Sequence, residues 1–449
     1  MIVRVLPLYC AGALSSSALV LAAEHRFASN RSVVYLVRSR TSSLLCALIA
    51  LMLAACSTRD SATPSNDGPA PDANALHLVS VVAGNMFTCA IDRAGEVWCW
   101  GSNDFAQLAR SDREDRRRPV HVALPTPTVR LTAGEARVCA VDSLRTLRCW
   151  GDNVAWALAD STVTLLAEPR VMPVGEVQNV AAGSRFTCAT NLQAEAYCWG
   201  GDRLGELGDG GDSLPARVTP GPVGVSVTFD TLVAGRTHAC GLTPQGDAWC
   251  WGDKALSGDG SREKRTAPVA VAGNHRFLSL TAGESVTCGV DLESAAWCWG
   301  VAYDGQLGFA QGTENSFLPM AVAGGHRFVQ LAAGYHRVCG LDTDGLAWCW
   351  GSNYRGTLGD TGRVSSLTPV PVQGARRYVS IASGDSHACA LDTDGRAWCW
   401  GRNVIGQGGG ALGDGTVESR SFPVPVIAPA ATEAATRDSL VPRKSPSNQ

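Results

Sequence analysis

Fourteen of the chain's 17 cysteines fall into seven pairs, and every pair has the same separation of ten residues. The pairs are Cys89 and Cys99, Cys139 and Cys149, Cys188 and Cys198, Cys240 and Cys250, Cys288 and Cys298, Cys339 and Cys349, and Cys389 and Cys399. Their first members step by 50, 49, 52, 48, 51 and 50 residues. Length alone would divide 449 residues into about two to four domains. The period makes them one repeat array instead.

Each repeat carries the same parts. An apolar strand ends in Ala-Gly or Ser-Gly, as in Phe277-Leu-Ser-Leu-Thr-Ala-Gly283. A second strand holds the first cysteine, as in His387-Ala-Cys-Ala-Leu391, and a tight turn such as Asp392-Thr-Asp-Gly395 follows it. A third strand holds the second cysteine, as in Ala397-Trp-Cys-Trp-Gly401. A glycine-rich connection then leads to a strand with proline, as in Pro369-Val-Pro-Val372. Short apolar runs broken by Gly, Asp and Pro read as all-β structure, and proline places the last strand at a sheet edge. Four strands in about 50 residues is the size of a propeller blade. The expected fold is therefore an all-β, seven-bladed β-propeller with four-stranded blades over residues 77–427. The proline strand first appears at Pro119-Val-His-Val122 and last at Pro423-Val-Pro-Val426, out of phase with the inner strand. Residues 423–426 are thus expected to complete the first blade, closing the ring by pairing the two chain ends.

The paired cysteines sit opposite each other if residues such as Thr343-Asp344-Gly345 form a three-residue loop with Gly in the left-handed region. Gly fills that position in four repeats; Arg145, Ala194 and Ser294, which favour the left-handed region less, stand there in the others. Opposed residues at a non-hydrogen-bonded site lie close enough for a disulfide. The spacing lacks the Cys-x-x-Cys ligand pairs of zinc sites. Seven intra-hairpin disulfides are the expectation, with free buried thiols and metal sites as the alternatives. Strand alternation sends Trp98 and Trp100, and their equivalents, to the face opposite the cysteine, as core between blades or as an aromatic ligand platform.

Arg38 and Arg40 precede an apolar run that ends in Leu53-Ala54-Ala55-Cys56. The run is too short to span a bilayer, and a basic segment before it reads as an export signal. The small residues before Cys56 resemble the lipobox of bacterial lipoproteins, which implies a lipidated Cys56 as the first mature residue. Residues 1–55 are then signal and upstream region. Residues 1–37 fit that scheme best if translation begins further in, at Val33, Val34 or Val37. Residues 56–76 and 428–449 are rich in Pro and small polar residues and read as a flexible tether and a disordered tail. Without residues 1–55, Lys and Arg number 33 and Asp and Glu 40, a balance of −7. That argues against nucleic-acid binding. The basic run Arg116-Arg117-Arg118 reads as a solvated loop.

The pattern Ala-Gly-x-x-x-x-Cys-x-Leu, followed by Cys-Trp-Gly-x-Asn-x-x-Gly-x-Leu-Gly-Asp, resembles the regulator of chromosome condensation repeat family. His238 and His387, the Trp-Gly pairs at 350–351 and 400–401, Asn353, Gly356, Leu358 and Gly359, and the segment 303–308 carry it. The resemblance covers residues 78 to 426 and implies a seven-bladed propeller. Gln107-Leu-Ala-Arg and Ala157-Leu-Ala-Asp lack the usual Gly-Asp ending, so those two loops are expected to differ. The family includes a nuclear exchange factor, a plant ultraviolet photoreceptor and a secreted β-lactamase inhibitor. The photoreceptor's sensing tryptophans follow the Ala-Gly glycine; here Asn85, Glu135, Ser184, Arg236, Glu284, Tyr335 and Asp385 stand there, which excludes light sensing.

No catalytic, cofactor or metal motif is apparent. His275 and His326 precede Arg-Phe at equivalent positions and read as structural. Two functions remain from different classes. One is a monomeric, lipid-anchored module that binds a protein or glycan of the bacterial envelope. The other is a lyase or hydrolase with carboxylates at the channel mouth. Clustered carboxylates with displaced pKa values would favour the enzyme; an aromatic-rich loop face would favour binding. Exchange-factor activity conflicts with the export signal.

Overall fold

The structure is a computed structural model. It describes residues 76–211, 215–310, 314–362, 364–405 and 408–430. The expected signal region, Cys56, and nearly all of the tether and tail lie outside the described residues.

The first repeat forms β1 (Leu78–Ala83), β2 (Phe87–Asp92), β3 (Val97–Gly101) and β4 (Arg116–Val122), hydrogen-bonded in that order as an antiparallel sheet. Four more repeats form separate four-stranded sheets, running from Thr231 to Ala270, Phe277 to Ala321, Phe328 to Pro371 and Tyr378 to Pro425. The second and third repeats share one seven-stranded sheet. There the 18-residue strand Leu165–Ala182 is both the outer strand of one repeat and the inner strand of the next. No tight turn interrupts it, so the expected division into separate four-stranded sheets does not appear at that point.

The proline strands stay with their own repeats. Arg420–Pro425 pairs with Ala397–Gly401, placing Val424 opposite Cys399, while β4 completes the first sheet. The expected exchange between the chain ends is therefore incorrect. The glycine-rich loop is long enough to return each proline strand to the hairpin it has just left. Pro119 and Pro423 fall where the register shifts, between the residues facing Cys99 and Gly101 or Cys399 and Gly401. A missing N–H is tolerated at such a bulge. Arg116, read from sequence as loop, pairs with Gly101 at the start of β4.

Hydrogen bonds link successive repeats. The second tryptophan of each hairpin is fully buried, and its indole N–H donates to a loop carbonyl of the preceding repeat. Trp150 donates to Gln107, Trp199 to Ala157, Trp251 to Glu206, Trp299 to Leu256, Trp350 to Gln306 and Trp400 to Thr357. Trp100, in the first repeat, donates to Ala411 in the last, 2.9 Å away. The buried His238 and His387 likewise meet Thr287 and Thr88 of the following repeat at 2.7 Å. Leu78, Val81 and Trp98 pack with Ala382, Leu391 and Leu412 in one apolar cluster, so the first and last repeats share a core.

Each cysteine pair is directly opposed, with Cα atoms 4.0–4.1 Å apart, and the structure joins the two sulfurs in all seven. That spacing belongs to a non-hydrogen-bonded pair. All seven turns adopt one form, including those with Arg145 (φ 64°), Ala194 (φ 61°) and Ser294 (φ 64°) in the left-handed position. In most repeats an Asp opens the turn: Asp342 accepts from the backbone N–H groups of Asp344 and Leu346. Its other oxygen accepts from the Trp348 indole at 2.8 Å. His275 and His326 pack their rings 4.0 Å from Trp297 and Trp348, which is the structural role expected of them. The long loops of the first two repeats do not differ as expected. Ala109 (φ 56°) and Ala159 (φ 55°) adopt the positive φ that Gly359 (φ 71°) has elsewhere. Asn103 and Asn153 hold those loops by accepting from the N–H of Leu108 and Leu158, as Asn353 does from Leu358.

Candidate functional site

The inner strands bring the Ala-Gly ends of all seven repeats around one hollow. An added Cβ on Gly384 would stand 2.2 Å from the Gly84 carbonyl oxygen. On Gly235, Gly283 and Gly334 it would stand 2.3, 2.3 and 2.4 Å from the equivalent carbonyl of the next repeat. Glycine is required here by the close approach of neighbouring backbones.

The residue after each glycine lines or borders this hollow. Six of the seven positions that the sequence reading set aside as lacking tryptophan, Glu135, Ser184, Arg236, Glu284, Tyr335 and Asp385, come together there. Asn85 joins Tyr335 and Asp385 in an adjoining hollow of about 420 Å³, together with His336, Tyr354 and Arg402. Aligning the repeats on the glycine would have found this set; a search for catalytic motifs does not, because its members lie about 50 residues apart.

Arg236 donates to Glu284 at 2.7 Å, and Ser184 donates to Glu135. His336 lies 3.1 Å from Asp304 and 3.5 Å from Glu284, with the Tyr335 ring 4.2 Å and the Tyr303 ring 4.9 Å away. Tyr303 and Tyr354 are 61% and 60% exposed on the loops around the mouth. Burial pushes Asp385 up to about 7, and the charges of Glu135 and Glu284 add to it against Arg337 and Arg236. Its surface is only partly covered, but the walls of the hollow crowd it on all sides. Burial also raises Glu284, against the pull of Arg236 and then His336. Arg337 is fully enclosed, lowered by burial to about 10, and donates to the carbonyls of Gly384, Asp385 and His387. It braces the turn that presents Asp385.

The site thus combines Asp385, whose carboxyl burial pushes up to about 7, with Glu135, Glu284, the guanidinium of Arg236 and solvent-facing tyrosines on a backbone that cannot open without separating repeats. Among the described residues, no group of three or more His, Cys, Asp and Glu is arranged to hold a metal ion. The fourteen cysteines are fully buried within their hairpins and do not line either hollow.

The fold and the glycine-ringed axis define a β-repeat protein whose inner strands meet at one mouth. Profiles of the regulator of chromosome condensation (RCC1) repeat match residues 78–107, 229–254, 328–357 and 378–407, and a second profile of that repeat matches 94–141, 293–341 and 344–391. The chain thus carries repeats of the RCC1 type over these residues. Human WBSCR16 superposes with a TM-score of 0.68 at 18% identity, covering 74% of this chain and 95% of that one. Prp20p of Saccharomyces cerevisiae does so at 0.66 and 20% identity, over 81% of this chain and 96% of that one. At such identity the likeness concerns the fold. The ultraviolet-B receptor UVR8 of Arabidopsis thaliana is 26% identical over 291 residues, 63% of this chain and 55% of the receptor. The human E3 ubiquitin-protein ligase HERC2 is 24% identical over 202 residues, 41% of this chain and 4% of the ligase. The chain therefore spans about half of the receptor and a small part of the ligase.

Proposed function

We propose that this chain is an exported, lipid-anchored binding module of the bacterial envelope: a closed, seven-bladed propeller that takes a protein or glycan at the mouth described above. The observation that carries the reading is the exposed tyrosine set, Tyr303, Tyr335 and Tyr354, around a rigid polar hollow. Tyrosine supplies large contact area at low entropic loss and is enriched where proteins recognise partners. The cyclic set of indole bonds supports closure. The cysteine pairing, read as disulfides in the native protein, supports export, because such bonds persist in oxidising compartments. The signal-like run before Cys56 supports the anchor. The protein acts as a monomer without a cofactor, and residues 56–76 tether the ring to the lipid.

Affinity capture from envelope extracts tests the binding site. A macromolecule retained by the native protein and lost by the Tyr303→Ala/Tyr354→Ala variant is the expected result; equal retention, or none by either, overturns it. Intact mass tests the chemistry. Fourteen cysteines should resist alkylation until reduced, and the mature chain should begin at a lipidated Cys56.

A second reading has its own observation. A carboxyl held near pH 7 beside two carboxylates is the arrangement a general acid and base require. On this reading Asp385 is the acid in a hydrolase or lyase acting at the same mouth. Turnover of an envelope polysaccharide by the native protein, abolished in Asp385→Asn with binding retained, would favour it over the simple module.

A further inference from the structure

We infer that the end of the molecule opposite the tyrosine-bearing mouth seats on a lipid bilayer. The sheets are polar objects: one end carries the Gly-x turns and long loops, the other the hairpin tips. Leu78 pairs with Asp92, so the second residue of an inner strand lies at the tip end. At that position Val79, Val129, Leu278, Val329 and Val379 are each 55–62% exposed. Three of the tips add Leu144, Leu192 and Leu292, exposed by 66%, 46% and 64%.

The fold does not require these side chains to be apolar. The second residue of the inner strand is an extra one, where the register shifts between Leu78 and Ser80 and between Phe328 and Gln330. Gln178 and Asp230 occupy it in the third and fourth repeats. Exposed aliphatic side chains at the same position of five repeats, with three leucines on the neighbouring tips, form the contact surface of this inference.

The chain's own course selects a bilayer as the partner. Backbone bonds from Leu78 N–H to Gly395 and from Arg93 N–H to His77 place the incoming chain at this same end. Residues 57–75 separate the first described residue from Cys56, a reach of roughly 60 Å when extended. The tether thus joins the ring at this end, so a lipid on Cys56 and an aliphatic contact here act on the same side of the ring. Arg276 is paired with Asp247, and Arg327 and Arg377 with the Glu293 and Asp344 carbonyls, while Arg93, Arg130 and Arg145 stand exposed among the aliphatic side chains. On a phosphatidylcholine surface, which carries no net charge, these arginines add little, and attachment is driven by aliphatic insertion. The choice of a bilayer rests on the anchored reading above; the exposed aliphatic surface does not.

Co-sedimentation of the full chain with phosphatidylcholine vesicles, titrated in lipid, tests it. The native chain, a Leu144→Ser/Leu278→Ser/Leu292→Ser variant and a Tyr303→Ser/Tyr354→Ser variant share one N-terminus, so differences report the two ends. The leucine variant should lose at least about tenfold in partition, with melting unchanged, and the loss should persist in 0.5 M salt, where the screening length falls to about 4 Å from about 30 Å in dilute buffer. The tyrosine variant should match the native chain. Equal partition of all three overturns the inference, as does a self-association that the leucine variant abolishes without changing vesicle binding. Mass analysis of Cys56 reports separately on the anchor.

Discussion

His238 and His387 are fully buried, and burial lowers them to about 4 and about 3, with Arg337 adding to the effect at His387. An unfolded histidine titrates near 6.5, so unfolding takes up protons that the folded protein refuses. Stability should fall as the pH drops from about 6.5 towards 4. Thermal melts across that range check this; a flat melting temperature would contradict the buried placement. Asp385 has the opposite sign. Its folded pKa, about 7, lies above the unfolded value, so its contribution is complete below about pH 4 and lost as the pH rises through 7. Asp385→Asn should leave the melting temperature unchanged at pH 4 and raise it at pH 8. The sequence shows all three only as repeat-equivalent positions; nothing in it shows that they are enclosed.

The hairpin is the unit of local structure, and most of it was legible. Ten-residue spacing and a three-residue turn place the cysteines opposite each other before any tertiary contact is known. Removing one bridge by Cys339→Ala/Cys349→Ala should lower stability by about 2–3 kcal/mol in the chain-entropy model, measured against denaturant without reductant. The turns at Arg145, Ala194 and Ser294 were less legible, since glycine is absent. The aspartate or asparagine at the turn's start and the pairing beyond it hold a positive φ that these residues do not favour. Ala194→Gly should therefore stabilise the protein by about 0.5–1 kcal/mol. A loss of stability instead would mean that the alanine methyl contributes packing beyond its backbone strain. The first two long loops follow the same logic, with Asn103 and Asn153 imposing on alanine the shape that glycine takes elsewhere.

Across the whole molecule, contacts between repeats decide the site. Gly384→Ala would drive a methyl into the Gly84 carbonyl, a contact between backbones that no rotamer change relieves. It should destabilise by about 1–3 kcal/mol and separate the residues that line the hollow. Chemical denaturation would measure the loss; a change within a few tenths of a kcal/mol would show that the repeats do not meet as closely as described. The same approach explains why the candidate site was only half legible. Asn85, Glu135, Ser184, Arg236, Glu284, Tyr335 and Asp385 were noticed as equivalent positions. That several of them share a charged hollow follows only from the distance between glycines of different repeats.

The sequence by itself determined the repeat, the hairpin and the cysteine pairing, because these depend on spacing within about 50 residues and on the alternation of a strand. Tertiary structure decided what spacing cannot express. It returned each proline strand to its own hairpin, ran two repeats together through Leu165–Ala182, and joined Trp100 to Ala411 across the ends of the array. It also gathered an Arg, a Tyr and three carboxyls from separate repeats into one enclosed mouth. The physical reason is range: local patterns set the strand period, whereas burial and charge at the axis depend on which distant strands pack together.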